Sequence, residues 1–110
     1  MAGYRANSHW NDEMELECLL VFKILEKEGF PHGRQKELSE RLASRSRLEW
    51  GSISAKVSNY KSLAGKNNHS NVSKNSVRIF QKFNHLSIED IANALRHSRD
   101  GGARIFGGFE

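Results

Sequence analysis

The sequence predicts an all-α fold, a compact domain of four to five helices that contains a helix-turn-helix with an extended turn. Apolar residues recur three and four positions apart along successive segments, which is the spacing of one face of an α-helix. Residues typical of helix starts and helix ends stand between these segments. A chain of 110 residues, of which 37% are hydrophobic, can build one modest core.

The composition divides the chain into three parts. Residues 1–9 lack periodicity and are predicted to form a flexible arm, residues 10–100 the helical domain, and residues 101–110 a glycine-rich tail. The tail carries Ile105, Phe106 and Phe109. We expect these side chains to fold back on the core, and docking on a protein partner or on a second copy is the alternative.

Cysteine usage and hydropathy indicate the compartment. The single Cys18 cannot form an internal disulfide, and its place among apolar residues predicts a structural thiol. The sequence shows neither a signal-peptide pattern nor an apolar stretch long enough to span a bilayer. A cytoplasmic protein without membrane contact is therefore expected.

The first helix is predicted to begin after Asn11, a good N-cap, and to end at Gly29. Acidic residues in its first turn suit the positive end of the helix dipole. Its apolar face is wide, so the helix should be largely buried. Its acids are expected to face away from the core and, if the basic middle of the chain meets DNA, away from the DNA as well.

The second helix is predicted over 34–44, with Leu38 and Leu42 one turn apart. The connection over 45–51 is longer than the turn of the simplest helix-turn-helix motifs, which predicts an extended turn. Within this connection Trp50 is expected to be buried. Ser52 is predicted to cap the third helix.

The third helix, predicted over 51–63, has the composition of a helix that reads nucleic acid. Ile53, Val57 and Tyr60 form a narrow apolar stripe. The other side carries small uncharged side chains able to approach base edges, and these are Ser54, Ala55, Ser58, Asn59 and Ser62. Lys56 and Lys61 are expected on the two shoulders, within reach of phosphates. The alternative is the polar side of an ordinary surface helix.

Two more helices are predicted beyond a polar loop over 64–75. Lys66, Asn67, Asn68, His69 and Lys74 form either a strip beside DNA or a solvated connection. The fourth helix is predicted over 76–86, with a stripe of Val77, Phe80 and Phe83. The fifth begins after Ser87 as N-cap and has a stripe of Ile88, Ile91, Ala92 and Leu95.

Charge is distributed unevenly along the chain. Residues 12–28 hold six acidic and two basic residues, whereas residues 31–85 hold eleven basic and three acidic ones. The basic segment includes the predicted third helix. This coincidence favours a polyanion as the partner over a solvated basic surface.

No constellation in the sequence supports catalysis. The five histidines are scattered without metal-binding spacing, and a single cysteine cannot build a cysteine-based zinc site. No phosphate-binding glycine loop follows a predicted strand. We expect no enzymatic activity, no cofactor and no metal.

The sequence also resembles a helical module found at the front of bacterial HNH-type restriction endonucleases. The resemblance covers roughly 10–83, including ELSERLASRSR, SISAKVSNYKSLAG and SKNSVRIFQKF. The matching positions are Trp10, Glu37, Leu38, Leu42, Arg45, Val57, Asn59, Tyr60, Leu63, Phe80 and Phe83. No HNH motif follows. The resemblance therefore implies a DNA-binding or specificity part, serving restriction-modification, its transcription regulation or phage defence.

The resulting hypothesis is a helix-turn-helix protein that binds double-stranded DNA and has no catalysis of its own. Ser54, Ser58 and Asn59 are expected nearest the base edges. The predicted DNA-binding residues are Arg45, Arg47, Ser52, Ser54, Lys56, Ser58, Asn59, Lys61, Lys66 and Lys74. The alternative is a small helical interaction protein, an inhibitor or adaptor of a nucleic-acid enzyme. A detached specificity part of a nuclease is a third reading.

Overall fold

The computed structural model describes residues 9–66 and 72–101, and it confirms the all-α prediction over these residues. The helices are α1 (Asp12–Glu28), α2 (Arg34–Ser44), α3 (Trp50–Leu63), α4 (Lys74–Phe83) and α5 (Ile88–Gly101). The predicted arm up to residue 8, the loop residues Asn67, Asn68 and His69, and the tail residues Ile105, Phe106 and Phe109 lie outside the described residues.

Capping residues set several helix ends where they were predicted. The Asn11 side chain accepts a hydrogen bond from the Met14 amide at 2.8 Å and begins α1. Gly29, with φ of 80°, ends α1 in the left-handed conformation that glycine adopts without strain. The Ser87 hydroxyl accepts from the Asp90 amide at 3.0 Å and begins α5.

Two helices begin earlier than predicted. The Glu49 carbonyl accepts the Ile53 amide at 3.2 Å, so α3 starts at Trp50 and Ser52 lies within its first turn rather than at the cap. In α4 the cap is Ser73, whose side chain accepts from the Ser76 amide at 3.1 Å. Ser76 is therefore inside α4 and buried, rather than at its start.

The core forms around α1, which contacts each of the other four helices. The predicted stripe of Ile53, Val57 and Tyr60 is confirmed, because all three side chains are fully buried. On α4 the buried apolar positions are Ile79 and Phe83, while Val77 and Phe80 are only half-buried. The other buried apolar side chains are Leu16, Cys18, Leu19, Val21, Phe22, Leu25, Leu42, Ile91, Ala94 and Leu95.

Trp50 corrects a prediction, because it is 42% exposed. It is the first residue of α3, and the Lys36 ammonium lies 5.2 Å from its ring centroid. A cation above one face of an indole is compatible with water around the rest of the ring. The small core is closed without this side chain.

Two further findings concern the state of Cys18 and the length and hydropathy of the helices. Cys18 is buried and free, and burial raises the pKa of its thiol well above the ordinary value, which agrees with a structural role. Among the described residues, no helix combines the length and apolar character needed to cross a bilayer.

Candidate nucleic-acid interface

Helix α3 presents three sides to three different environments. One side is the buried stripe already described. A second side lies against α2, where the Gln35 amide nitrogen donates to the carbonyl and the hydroxyl of Ser54, both at 3.0 Å. The same nitrogen lies 3.1 Å from the Ser58 hydroxyl. The third side is open to solvent.

These contacts correct the predicted reading face. Ser54 and Ser58 were expected to point toward base edges, but both bond to Gln35 and help hold α2 against α3. Lys61 lies on the same side, where its ammonium donates to the side-chain amide oxygen of Gln35 at 3.1 Å and lies 5.1 Å from the Phe30 ring centroid. The spacing placed Ser54 and Ser58 correctly on one side of the helix, but that side is turned toward α2, and Lys61, which was predicted on a shoulder, lies there as well.

Lys56 corrects the prediction further. Its ammonium lies 3.0 Å from a carboxylate oxygen of Glu15 and 3.1 Å from the Ser76 hydroxyl, and its side chain is 14% exposed. The Trp10 ring centroid lies 4.7 Å from the same ammonium. Lys56 was expected on a shoulder facing phosphates. Its charge is instead compensated inside the fold.

Glu15, which is 1% exposed, is the centre of this buried polar cluster. Its carboxylate accepts from the Tyr60 hydroxyl at 2.7 Å and from the Ser76 hydroxyl at 2.9 Å. Burial, followed by the nearby Glu15 charge, raises the pKa of Tyr60, so the phenol stays protonated and donates. The cluster joins α1, α3 and α4 through groups that satisfy one another.

The expectation that the acids of α1 face away from the core is therefore wrong for Glu15 and Glu17. Glu17 is also buried, and the Arg45 guanidinium lies 3.1 Å from its carboxylate. A buried carboxylate requires a cation or several donors, because desolvation of an unpaired charge costs several kcal/mol. The basic segment supplies these partners.

The open side of α3, here called the α3 stripe, consists of Ser52, Ala55, Asn59 and Ser62. Ser52 and Ala55 are exposed, while Asn59 and Ser62 are half-buried. Within the described residues, no hydrogen bond engages the Asn59 side chain. Since α3 contains no acidic residue, nothing on the helix itself would repel a phosphate backbone.

The remaining predicted cations differ in how free they are. Arg47 and Lys74 are exposed, and neither has an ion-pair partner among the residues that the structure describes. Arg45 is held by Glu17 at one edge, although 55% of its side chain stays exposed. The Lys66 ammonium lies 3.7 Å from a Glu26 carboxylate oxygen at the surface. A surface pair of this kind is weak and can exchange partners.

A surface pocket of about 370 Å³ lies where the start of α1 meets the connection between α2 and α3. It is here called the Trp10 pocket. Its lining residues are His9, Trp10, Asn11, Met14, Arg45, Ser46 and Arg47. The pocket thus brings together the two arginines of the predicted turn and an aromatic ring from the start of the domain.

Sequence reasoning missed Gln35 and the place of Trp10. Gln35 has no signal beyond its position on the second helix, one residue beyond Arg34. Trp10 precedes the N-cap Asn11, and the sequence assigns it only to the start of the helical domain and to the family resemblance. A tryptophan just before a helix, followed much later by arginines in a turn, carries no local pattern that reveals a shared pocket.

The described part of the chain holds no group of three or more His, Cys, Asp or Glu side chains arranged to bind a metal ion. The candidate site consists of the α3 stripe, the predicted cations described above and the Trp10 pocket, on an all-α scaffold. No family model, curated protein or solved structure matches the chain.

Proposed function

We propose that this protein binds double-stranded DNA, with the α3 stripe toward a groove and neighbouring cations on the phosphates. The observation that carries the proposal is the α3 stripe itself, which combines small uncharged side chains with a complete lack of acidic residues on its helix. Such a surface lets a helix approach base edges closely without electrostatic repulsion.

The structure changes the assignment of residues within this proposal. Asn59 becomes the leading candidate for base readout, because no described residue engages its amide and asparagine pairs with adenine through two hydrogen bonds. Arg47 and Lys74 become the leading phosphate contacts. Ser54, Ser58 and Lys56 are reassigned to holding the fold together.

The proposal is tested by duplex affinity at several salt concentrations. The test variant is Arg47→Gln with Lys74→Gln, and the control is Lys27→Gln with Arg96→Gln, which removes the same charge from exposed positions on α1 and α5. Each lost phosphate contact should lower the slope of log affinity against log salt by about 0.9. We expect a reduction of about 2 for the test variant only.

Equal slopes for the test and control variants would show that net charge alone attracts DNA, and the proposed face would then be wrong. Wild-type protein with no measurable duplex affinity at low salt would refute the proposal as a whole. A circular dichroism melt of every variant checks that the fold is retained.

We further propose that the protein acts in the cytoplasm, in restriction, defence or regulation, by recognition without cleavage. The support is the resemblance of residues 10–83 to the helical module of HNH-type endonucleases, and residues 10–83 themselves contain no HNH motif. Incubation with plasmid DNA and a divalent metal should leave the plasmid intact. Reproducible nicking that survives repurification would contradict this proposal.

Protein binding is a second candidate, favoured by the exposure of Trp50. Tryptophan is among the residues that contribute most to protein interfaces, and Trp50 lies at the surface on the first turn of α3. If this candidate is correct, Trp50→Ser should abolish binding to the protein partner and leave duplex affinity unchanged. Loss of duplex affinity in this variant would assign Trp50 to the DNA surface instead.

A further inference from the structure

We propose that the Trp10 pocket binds a single unpaired nucleotide, with the base against the indole of Trp10 and the phosphate on Arg45 and Arg47. The inference rests on the proposed DNA-binding function and extends it, because it names a form of DNA that the α3 stripe alone would not select. Three properties of the pocket support it: the sign of its charge, the placement of its aromatic ring and its size.

The pocket takes positive charge from two arginines. Arg45 and Arg47 line it, and its seven described lining residues include no carboxylate. Glu17 contacts Arg45 at 3.1 and 3.5 Å through two of the nitrogens of the guanidinium. That contact fixes the side chain in place, and a guanidinium has five N–H donors, so others stay available. Arg47 is exposed and has no partner among the described residues.

Trp10 is held in position before any ligand binds. The Lys56 ammonium lies 4.7 Å from the ring centroid, and Lys56 is not among the residues that line the pocket. Lys56 is itself fixed by Glu15 and Ser76. The buried cluster therefore supports the indole from the side of the fold, while the indole also borders the pocket. A ring held in this way loses little conformational freedom when a base stacks on it.

The size of the pocket selects a nucleotide over a bare phosphate. About 370 Å³ lies within the range of about 300–1,000 Å³ that small-molecule sites occupy. A phosphate ion would leave most of this volume empty and would not use the indole. A base inside a duplex is stacked and paired, so only an unpaired or extruded base can reach the ring.

The pocket and the proposed duplex surface share Arg47, which lines the pocket. Arg47 stands three residues before the first residue of α3, and Lys56, which contacts Trp10, is on α3 itself. A strand that follows the α3 stripe can therefore direct one nucleotide into the pocket. Strand ends and locally opened base pairs both supply such a nucleotide.

The test follows Trp10 fluorescence in a Trp50→Phe background, which leaves Trp10 as the only tryptophan of the chain. Deoxyadenosine monophosphate should quench this signal saturably, and adenosine and inorganic phosphate should each bind at least about tenfold more weakly, because each lacks half of the contacts. Arg47→Gln should weaken binding of the nucleotide about tenfold. The control Lys27→Gln lies at the opposite end of α1 and should change nothing.

The inference is overturned if the nucleotide produces no saturable quenching, or if Arg47→Gln and Lys27→Gln bind it equally well. It is also overturned if inorganic phosphate binds as tightly as the nucleotide, since the indole would then contribute nothing. The Arg47→Gln variant must give the same thermal melt as the background protein. Arg47 is exposed and has no ion-pair partner in the described part of the chain, so loss of fold is not expected.

Duplex binding is measured on the same proteins, which separates this inference from the proposed function. If the protein binds duplex DNA but the nucleotide does not quench Trp10 fluorescence, the pocket inference is wrong and the proposed function stands. If the nucleotide quenches Trp10 fluorescence but the protein does not bind duplex DNA, only the duplex proposal is wrong. A blunt duplex and the same duplex with a single-stranded overhang distinguish the two sources of the nucleotide. If the protein prefers the duplex with the overhang and Arg47→Gln removes that preference, the nucleotide comes from a DNA strand. If the two duplexes bind equally well and the nucleotide still quenches Trp10 fluorescence, the ligand is a free nucleotide.

Discussion

Lys56 lies at the junction of α1, α3 and α4, with its ammonium directed to Glu15, Ser76 and Trp10. A helical projection predicts the direction of this side chain around α3, but it gives no information about which helices lie in that direction. Glu15 is 41 positions from Lys56 and Ser76 is 20, so the contacts depend on tertiary packing. The favourable interaction of acidic residues with the helix dipole already explained the acids at the start of α1. The burial of Glu15 and Glu17 was therefore not predicted.

Replacement of Lys56 by Met should destabilise the protein substantially. The substitution leaves the buried Glu15 carboxylate without its cation, and breaking a buried pair on one side costs about 3 kcal/mol or more. Urea unfolding measures the change. Lys36→Met removes an exposed ammonium that lies above Trp50 and should stay within about 0.5 kcal/mol of wild type.

A double variant separates loss of the ion pair from loss of packing. Lys56→Met with Glu15→Gln removes both charges, so it should recover part of the stability lost by Lys56→Met alone. If Lys56→Met unfolds at the same urea concentration as Lys36→Met, the buried ion pair does not contribute to stability as described.

The stability of the protein should fall at alkaline pH because of Cys18. Burial raises the pKa of its thiol above the ordinary value of 9.0, so above pH 9 the unfolded chain releases this proton while the folded chain retains it. The stabilising contribution is complete below pH 9 and is lost as pH rises. The free energy of unfolding should therefore decrease by up to about 1.4 kcal/mol per pH unit from this group.

Urea unfolding of wild type and Cys18→Ala between pH 8 and about 10, under reducing conditions, measures the effect. The relevant quantity is the difference between the two proteins in the slope of unfolding free energy against pH, because the cavity left by alanine lowers stability equally at each pH. Tyr60 also has a raised pKa, but its ordinary value of 10.0 places most of its effect above this window. If the unfolding free energy of the two proteins has the same slope against pH, the thiol is accessible to solvent in the folded state.

At the scale of the helices, the sequence rules for capping and periodicity predicted where each helix lies in the chain better than they predicted which neighbour each side of a helix faces. The bounds of α2 were predicted correctly, and the N-caps Asn11 and Ser87 were identified because capping depends on neighbours within three residues. The start of α4 was predicted two residues late, because Ser73, which caps the helix, lies in the polar segment that was assigned to the loop. Ser76 lies inside the fold, where its hydroxyl donates to Glu15.

The side of α3 that faces α2 shows what periodicity cannot provide. Ser54 and Ser58 share one side of the helix, as predicted, and both contact Gln35. Lys61 was predicted on a shoulder, and it also contacts Gln35. Polar side chains that bond between helices have the same spacing as polar side chains that face water or DNA. The candidate site could therefore be located on α3 from the sequence, but its open side could be identified only from the packing of α2.

Asn59→Ala should weaken binding to a preferred duplex about tenfold and leave binding to random duplex unchanged. The reason is that a bidentate contact from asparagine to adenine contributes about 1–3 kcal/mol of discrimination, whereas phosphate contacts are independent of sequence. Selection from a random library supplies the preferred duplex, and fluorescence anisotropy measures both affinities. Gln81→Ala, on the exposed surface of α4, is the matched amide control.

Two outcomes would contradict this role for Asn59. If selection enriches no sequence, the α3 stripe does not read bases. If Asn59→Ala weakens the preferred and the random duplex equally, the side chain contacts the backbone instead.

At the scale of the whole molecule, the charge separation seen along the sequence is partly cancelled by folding. Ion pairs between α1 and the basic segment join Asp12 to Arg78, Glu15 to Lys56 and Glu17 to Arg45. The surface available to a polyanion is therefore smaller than the segment charge suggests. Segment charge counts treat every cation as exposed, and only the fold shows which cations already have partners.

Deletion of residues 103–110 distinguishes DNA binding from tail-mediated association. The deleted segment contains one arginine and one glutamate, so the net side-chain charge is unchanged and long-range attraction to phosphates should be preserved. The proposed DNA surface involves the α3 stripe, Arg47 and Lys74, all of which precede α5 in the chain. We therefore expect duplex affinity within about twofold of wild type, because no contact of the proposed surface is removed.

Sedimentation velocity on the same two proteins tests the alternative function. If the apolar tail residues Ile105, Phe106 and Phe109 mediate self-association or docking, the deletion should abolish the larger species, because these side chains would supply its buried apolar area. A full-length variant with serine at the three positions controls for chain length. A loss of duplex affinity in both variants, with the helical content unchanged, would move the DNA surface from α3 to the tail and contradict the proposed function.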